Sequence, residues 1–290
     1  MDNNLLNSLR EFAEQSVPRE EGDYEKNGIL YCGKCNTPKQ TILKAFNGSE
    51  IKVMCLCKCA EQKRMESIKR ENALRRENEI KILRKDAFPE SDMQNWRFEN
   101  DDGANKQISI AKNYAKNFNQ MFKDKKGLLL FGNVGTGKTY MAACIVNALV
   151  DKGIPCLVTS FPRISNQLIG VYEKQEYLDS LNRYLLLVID DLGSERDTSY
   201  MGEVVTNVID SRYRSGKPLI VTTNLTADEL KNPKDISESR VYSRLLEMCI
   251  PVEIKCYDRR KKKLIDEHDK YASLLGLEEK GDDIKNGIKQ

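Results

Sequence analysis

Eight residues, Gly-Asn-Val-Gly-Thr-Gly-Lys-Thr at 132–139, narrow the choice of fold more than any other stretch of this chain. Three glycines within six positions leave a backbone bare enough to adopt positive φ and to close its N–H groups on an anion. The spacing satisfies G-x-x-x-x-G-K-[ST] at every fixed position. That pattern needs a strand before it and a helix after it, and "LLLF" (128–131) and "YMAACIVNALV" (140–150) supply both. This context separates the stretch from a glycine-rich turn that binds nothing. The loop residues Gly132, Asn133, Val134, Gly135, Thr136, Gly137, Lys138 and Thr139, with Tyr140 beside them, are therefore expected to bind ATP. Lys138 would reach the β- and γ-phosphates and Thr139 would ligate Mg²⁺, with the positive end of the following helix facing the anion.

Such a loop needs an acidic anchor on a neighbouring strand. "YLLLVIDDLG" (184–193) is an apolar strand that emerges at Asp190 and Asp191, about fifty residues downstream. Asp190 is expected to hold the Mg²⁺ shell and Asp191 to polarise the attacking water. Many ATPases of this kind carry Glu at the second position; the shorter aspartate implies slow hydrolysis. "KPLIVTTNL" (217–225) ends another apolar strand in Asn224, placed to orient the water or touch the γ-phosphate. In "SESRVYSRLLEMCIPVEI" (237–254), a helix feeding a strand, Arg240 and Arg244 lie four apart on one face with no acid at the same spacing, which suits an anion.

Strand-like runs (128–131, 154–160, 185–189, 218–222) alternate with helical segments (104–122, 138–151, 162–183, 199–215, 226–231, 237–248), implying a mostly parallel α/β sheet with crossovers. The organisation expected is an N-terminal region with a cysteine module (1–59), a charged helical linker (60–87), a nucleotide-binding domain (88–264) and a charged tail (265–290). The linker has too few apolar positions for a core face and reads as a solvated helix. No run approaches the roughly 18–20 apolar residues of a membrane span, and "MDNNLLNSLREFAEQ" lacks the pattern of a signal peptide, so a cytoplasmic protein without membrane contact is expected. The net charge of +3 says little about nucleic acid, although "RRKKK" (259–263) concentrates five cations.

Nine cysteines in such a compartment argue against a disulfide framework. Cys144, Cys156, Cys249 and Cys256 sit among apolar neighbours as small core residues. The other five do not. Cys32 and Cys35 form a C-x₂-C knuckle, and Cys55, Cys57 and Cys59 follow after nineteen intervening residues. This spacing suits tetrahedral Zn²⁺, with iron–sulfur as the alternative and no thioredoxin-like βαβ pattern for a redox pair. The single histidine, His268, is remote, so the site would be all-thiolate. Five ligands exceed four places; Cys32, Cys35 and Cys55 are expected to bind, with Cys57 or Cys59 as the fourth. The module has few apolar residues, so metal ligation would supply the stability its core cannot.

In order along the chain, "GLLLFGNVGTGKTYMA", "LLLVIDDLGSE", "IDSRYRSGKPLIVTTNLT" and "SRVYSRLLEMCIPVEI" resemble the AAA+ ATPases that load bacterial replicative helicases, the DnaC/DnaI type, and the related IstB transposition ATPases, over roughly residues 88–263. The resemblance implies that Asn224 is sensor 1, that Arg244 is an arginine finger offered to a neighbouring subunit, and that sensor 2 is Arg259 or Arg260. It also implies self-association of the ATPase domains, a hexameric replicative helicase held through the N-terminal module, and single-stranded DNA as the track. DnaI-type loaders carry an N-terminal zinc module, which IstB proteins generally lack. The alternative client is a transposase delivered to duplex DNA; a small-molecule kinase would need neither the cysteines nor Arg244.

Overall fold

The computed structural model describes residues 18–44, 48, 50–89, 92–169, 174–194 and 198–259, with Tyr271, Leu274 and Leu275. The polar start of the chain, Arg260 to Lys263 of the basic run, and His268 lie outside them. The chain divides into two compact units, Met1–Asn78 and Glu79–Gln290.

The first unit is built from two small antiparallel hairpins, β1 (Tyr24–Lys26) with β2 (Ile29–Tyr31) and β3 (Gln40–Lys44) with β4 (Glu50–Met54). The turn between β1 and β2 is Asn27-Gly28, both at positive φ (53° and 72°), the backbone that a two-residue hairpin loop of matching twist requires. Leu30, Cys32 and Cys57 are the buried apolar residues among those described here. Hydrophobic burial on that scale does not hold a domain together.

Helix α1 (Lys58–Ala87) starts in the first unit and ends in the second. Ala87 is its one buried residue, and Met65, Ile68, Leu74 and Ile82 are exposed, so the helix has no continuous apolar face. Local pairs such as Gln62 donating to Glu66 Oε1 at 3.1 Å support it instead.

The second unit is a five-stranded parallel sheet in the order β6-β7-β8-β5-β9, formed by β5 (Gly127–Phe131), β6 (Cys156–Ser160), β7 (Leu186–Leu192), β8 (Leu219–Thr223) and β9 (Cys249–Glu253). Both faces are covered, which is why the strands read as unbroken apolar runs. Leu128, Leu130, Val188 and Ile220 pack on one face against α2 (Ile108–Lys116) and α4 (Lys138–Val150). Their neighbours Leu129, Leu187, Ile189 and Val221 pack on the other against α5 (Phe161–Leu168), α6 (Lys174–Leu181), α7 (Ser199–Ser215) and α9 (Ile236–Met248). Arg212 of α7 is fully buried; its guanidinium donates to the carbonyls of Tyr184, Leu185 and Pro218, tying the entries of β7 and β8 together.

Three expectations change in detail. The helical segment 104–122 is two helices, α2 and α3 (Phe118–Lys123), because Asn117 leaves helical geometry and its side chain takes the Asn113 carbonyl. The segment 162–183 is α5 and α6, with residues 170–173 outside those described. Strand β7 does not stop before its aspartates but runs through them, with one extra residue between Ile189 and Leu192 against β8. Between β8 and α9 lies a short helix, α8 (Ala227–Lys231), closed by a capping box from Thr226 and Glu229.

Candidate functional site

Parallel strands gather loop residues at their carboxyl ends, and the candidate residues come from those ends. The glycine loop follows β5. Gly132 has φ 132°, and a Cβ there would sit 2.7 Å from the Ile254 carbonyl oxygen; Gly137, at φ 93°, caps α4. Only glycine fits both demands. Lys138 is buried, its ammonium donating to the carbonyls of Gly132 (2.9 Å) and Asn133 (2.7 Å) and to Asn224 Oδ1 (2.8 Å).

Thr139 Oγ1 donates to Asp190 Oδ1 at 2.9 Å, so a hydroxyl in the first turn of α4 meets the first acid of β7. Asn224 Nδ2 donates to Asp191 Oδ1 at 2.8 Å. Lys138, Thr139, Asp190, Asp191 and Asn224 thus line one cleft of about 290 Å³, together with Trp96, Val134, Gly135, Gly137, Tyr140, Thr222 and Arg259.

Trp96 and Thr222 were not singled out by sequence. Trp96 lies 5.8 Å from the Tyr140 ring, and Asn147 of α4 holds its segment by donating to the carbonyls of Met93 (2.8 Å) and Trp96 (2.9 Å). Tyr140 donates to the Arg97 carbonyl at 2.7 Å, and burial pushes its phenol well above the usual range. Of the two sensor 2 candidates, Arg260 lies outside the described residues and Arg259 reaches the cleft, its backbone N–H on the Gly135 carbonyl (3.0 Å), its guanidinium on Asp102 (2.8 Å) and 5.6 Å from the Tyr140 ring centroid. Hydrogen bonding from the Ala104 N–H, with Arg259 adding to it, holds the Asp102 carboxyl below its ordinary value.

Arg244 does not line the cleft of its own chain. It is ion-paired with Asp210 of α7 and lies 5.9 Å over the Tyr213 ring, while Arg240, one turn earlier, is exposed.

In the first unit the thiols of Cys32, Cys35, Cys57 and Cys59 all lie within 4.8 Å of one another. Cys32 Sγ is 3.5 Å and Cys57 Sγ 3.3 Å from Cys59 Sγ. Tetrahedral Zn²⁺ with Zn–S near 2.3 Å separates its sulfurs by about 3.8 Å, so these four fit it. The expectation that Cys55 is a ligand is corrected: its N–H extends the β-ladder to the Lys39 carbonyl (2.9 Å) and its Sγ points at the Pro38 carbonyl (3.5 Å). Cys57 accepts at the start of α1, from Glu61 N, and Cys59 lies in its first turn. That turn brings both toward the knuckle, so the last pair is Cys57 and Cys59 together. The knuckle is closed by Asn36 N on the Cys32 carbonyl (2.9 Å), with Asn36 at φ 52°. Asp23 braces it, accepting from Gly33 N (3.0 Å) and Lys39 Nζ (2.6 Å), and the lysine hydrogen bond draws its carboxyl down to about 2.

A glycine loop ahead of a helix, a hydroxyl meeting an aspartate, and a doubly covered parallel sheet define a P-loop nucleotide-binding protein. Residues 57–266 match the family described as IstB-like ATP binding protein, and the chain belongs to that family, the AAA+ relatives of the DnaI and DnaC helicase loaders. It is 29% identical over 160 residues to the replicative helicase loader DnaI of Bacillus subtilis (strain 168), covering 51% of each chain, so the match spans about half that protein's length. Against the replicative helicase loader DnaC of Buchnera aphidicola subsp. Baizongia pistaciae (strain Bp) the identity is 26% over 211 residues, 68% of this chain and 81% of that one. A solved structure of DnaI aligns over 61% of this chain and 92% of its own, at 25% identity and a TM-score of 0.46. No helix among the described residues is long and apolar enough to cross a membrane.

Proposed function

We propose that the chain is an ATP-dependent loader of a replicative DNA helicase onto single-stranded DNA, in which ATP binding and hydrolysis switch between assembly and release. The observation that carries this reading is the four-thiol cluster ahead of a core related to DnaI and DnaC. Such a module distinguishes DnaI-type loaders from the general run of IstB proteins.

In this reading the loop N–H groups and Lys138 take the β- and γ-phosphates of ATP, and Trp96 with Tyr140 forms an aromatic wall for the base. Thr139 and Asp190 would hold Mg²⁺, which when bound neutralises charge developing on the phosphate oxygens. Asp191 orients the attacking water and accepts its proton, its carboxylate set by Asn224. Arg259 reports occupancy from the mouth of the cleft. Arg244, turned away from its own cleft, serves a neighbouring subunit's γ-phosphate. Cys32, Cys35, Cys57 and Cys59 would hold Zn²⁺, which fastens β1–β4 to the start of α1 as the surface that grips the helicase.

The test is a reconstitution on closed circular single-stranded DNA, which a closed ring helicase cannot thread. Adding the chain with ATP should yield DNA-bound helicase, and Lys138→Ala should not. The family match itself favours a second reading, an IstB-like regulator of a transposase. Tight binding to duplex DNA and to a transposase, with no effect on helicase loading, would replace the first reading by the second.

A further inference from the structure

We propose that Thr222 is a positioning residue for both aspartates of the nucleotide site. The proposal rests on that site being one for Mg²⁺-bound nucleotide. Thr222 lies on β8, one strand away from the acids, and is almost completely enclosed, at 1% exposure. Its Oγ1 accepts from Asp191 N at 2.9 Å and lies 2.6 Å from Asp190 Oδ1. A backbone N–H can only donate, so a lone pair of the hydroxyl receives it, and the carboxylate oxygen of Asp190 accepts the hydroxyl's one proton.

The strand geometry shows why a hydroxyl is needed. Ile189 pairs with Val221 and Leu192 with Thr223, so three steps along β7 face two along β8. The extra residue leaves the ladder short of a partner for Asp191, which stands at φ 62°. The Thr222 side chain supplies that partner. The left-handed backbone then turns Asp191 onto Asn224, while Asp190 Oδ1 receives protons from both Thr222 and Thr139. One buried hydroxyl therefore sets the register of the bulge and the orientation of the Mg²⁺-side carboxylate together. Thr223 does the equivalent on the next residue, donating to the Leu192 carbonyl at 2.6 Å, so two consecutive threonines carry the strand pair past the bulge.

The full-length chain is compared with Thr222→Val, which keeps the shape, and Thr222→Ser, which keeps the hydroxyl. Outer partners of metal-holding groups matter by about 10–100-fold, so Thr222→Val is expected to lower kcat and raise the Mg²⁺ concentration needed for tight ADP binding by about that factor, with KM for ATP little changed. Thr222→Ser should restore both. Wild-type kcat and Mg²⁺ requirement in Thr222→Val, or a serine variant as impaired as valine, would overturn the proposal. If the valine variant does not fold, Thr222→Cys, with a weaker hydrogen bond, should show an intermediate Mg²⁺ requirement; an unchanged one would count equally against it. A wild-type chain that binds nucleotide without hydrolysing it would remove the ATPase reading, while the Mg²⁺ titration would still decide the role of Thr222.

Discussion

Asp191 stands at φ 62°, a backbone that aspartate and asparagine tolerate better than most side chains. The residue that looked from sequence like a shortened glutamate is thus also one that suits its bulge. Asp191→Asn keeps the backbone preference and removes the proposed base. It should lower kcat by about 10²–10⁴-fold, the range of general base catalysis, while nucleotide binding persists. Equilibrium binding and turnover on the same variant check both halves. Trp96 is the chain's only tryptophan, so nucleotide entering the cleft should change intrinsic emission in the wild type and not in Lys138→Ala. The legibility of the site divides at this scale. Gly132 to Thr139 could be read because the phosphate loop is contiguous, and Asp190, Asp191 and Asn224 because each ends an apolar run. Trp96 and Thr222 could not be found this way, because they enter the cleft from separate elements with no spacing rule joining them to the loop, and Arg259 was named only through the resemblance, alongside Arg260. "TTN" did contain a signal in retrospect, two hydroxyls ending a strand that pairs with the acidic one.

The alternation of strands and helices was legible because a sheet covered on both faces demands continuous apolar strands. Its breaks were less so: Asn117 divides a helical run by taking a carbonyl from the turn before it. The buried Arg212 was invisible, since nothing in "DSRYRSG" tells it apart from its neighbour Arg214 or from a solvated arginine. Replacing it with Met strands the carbonyls of Tyr184 and Leu185, while that of Pro218 keeps a long bond from Leu187 N (3.5 Å). At about 1–3 kcal/mol for each buried acceptor left unpaired, the loss should be at least about 2 kcal/mol, or roughly 4–8 °C in Tm, measurable by thermal unfolding. The cysteine module was legible in its ligand type and not in its last ligands, because Cys55, Cys57 and Cys59 straddle a strand-to-helix change that spacing does not locate. Cys55→Ser should leave metal content unchanged, whereas Cys57→Ser or Cys59→Ser should lose it, as elemental analysis of the purified full-length chain will show. The same analysis separates zinc from iron.

For the whole molecule, the proposed function divides the work: nucleotide at the parallel sheet, the partner at the thiol cluster. In the proposed function Arg244 is the link between subunits. Arg244→Ala and Lys138→Ala chains should each be nearly inactive alone, and mixing them should recover activity, because one supplies the arginine and the other the intact cleft. No recovery on mixing would place Arg244 in service of its own chain, where Asp210 and Tyr213 hold it. The most direct test of the central claim is the binding of the full-length chain to the replicative helicase of the same cell, followed by co-migration, for the wild type and Cys57→Ser with ATP or ADP. The expected result is a complex with the metal-bound wild type in ATP, none with Cys57→Ser, and release on conversion to ADP. A helicase complex indifferent to both the cysteines and the nucleotide, or no helicase complex at all, would contradict it.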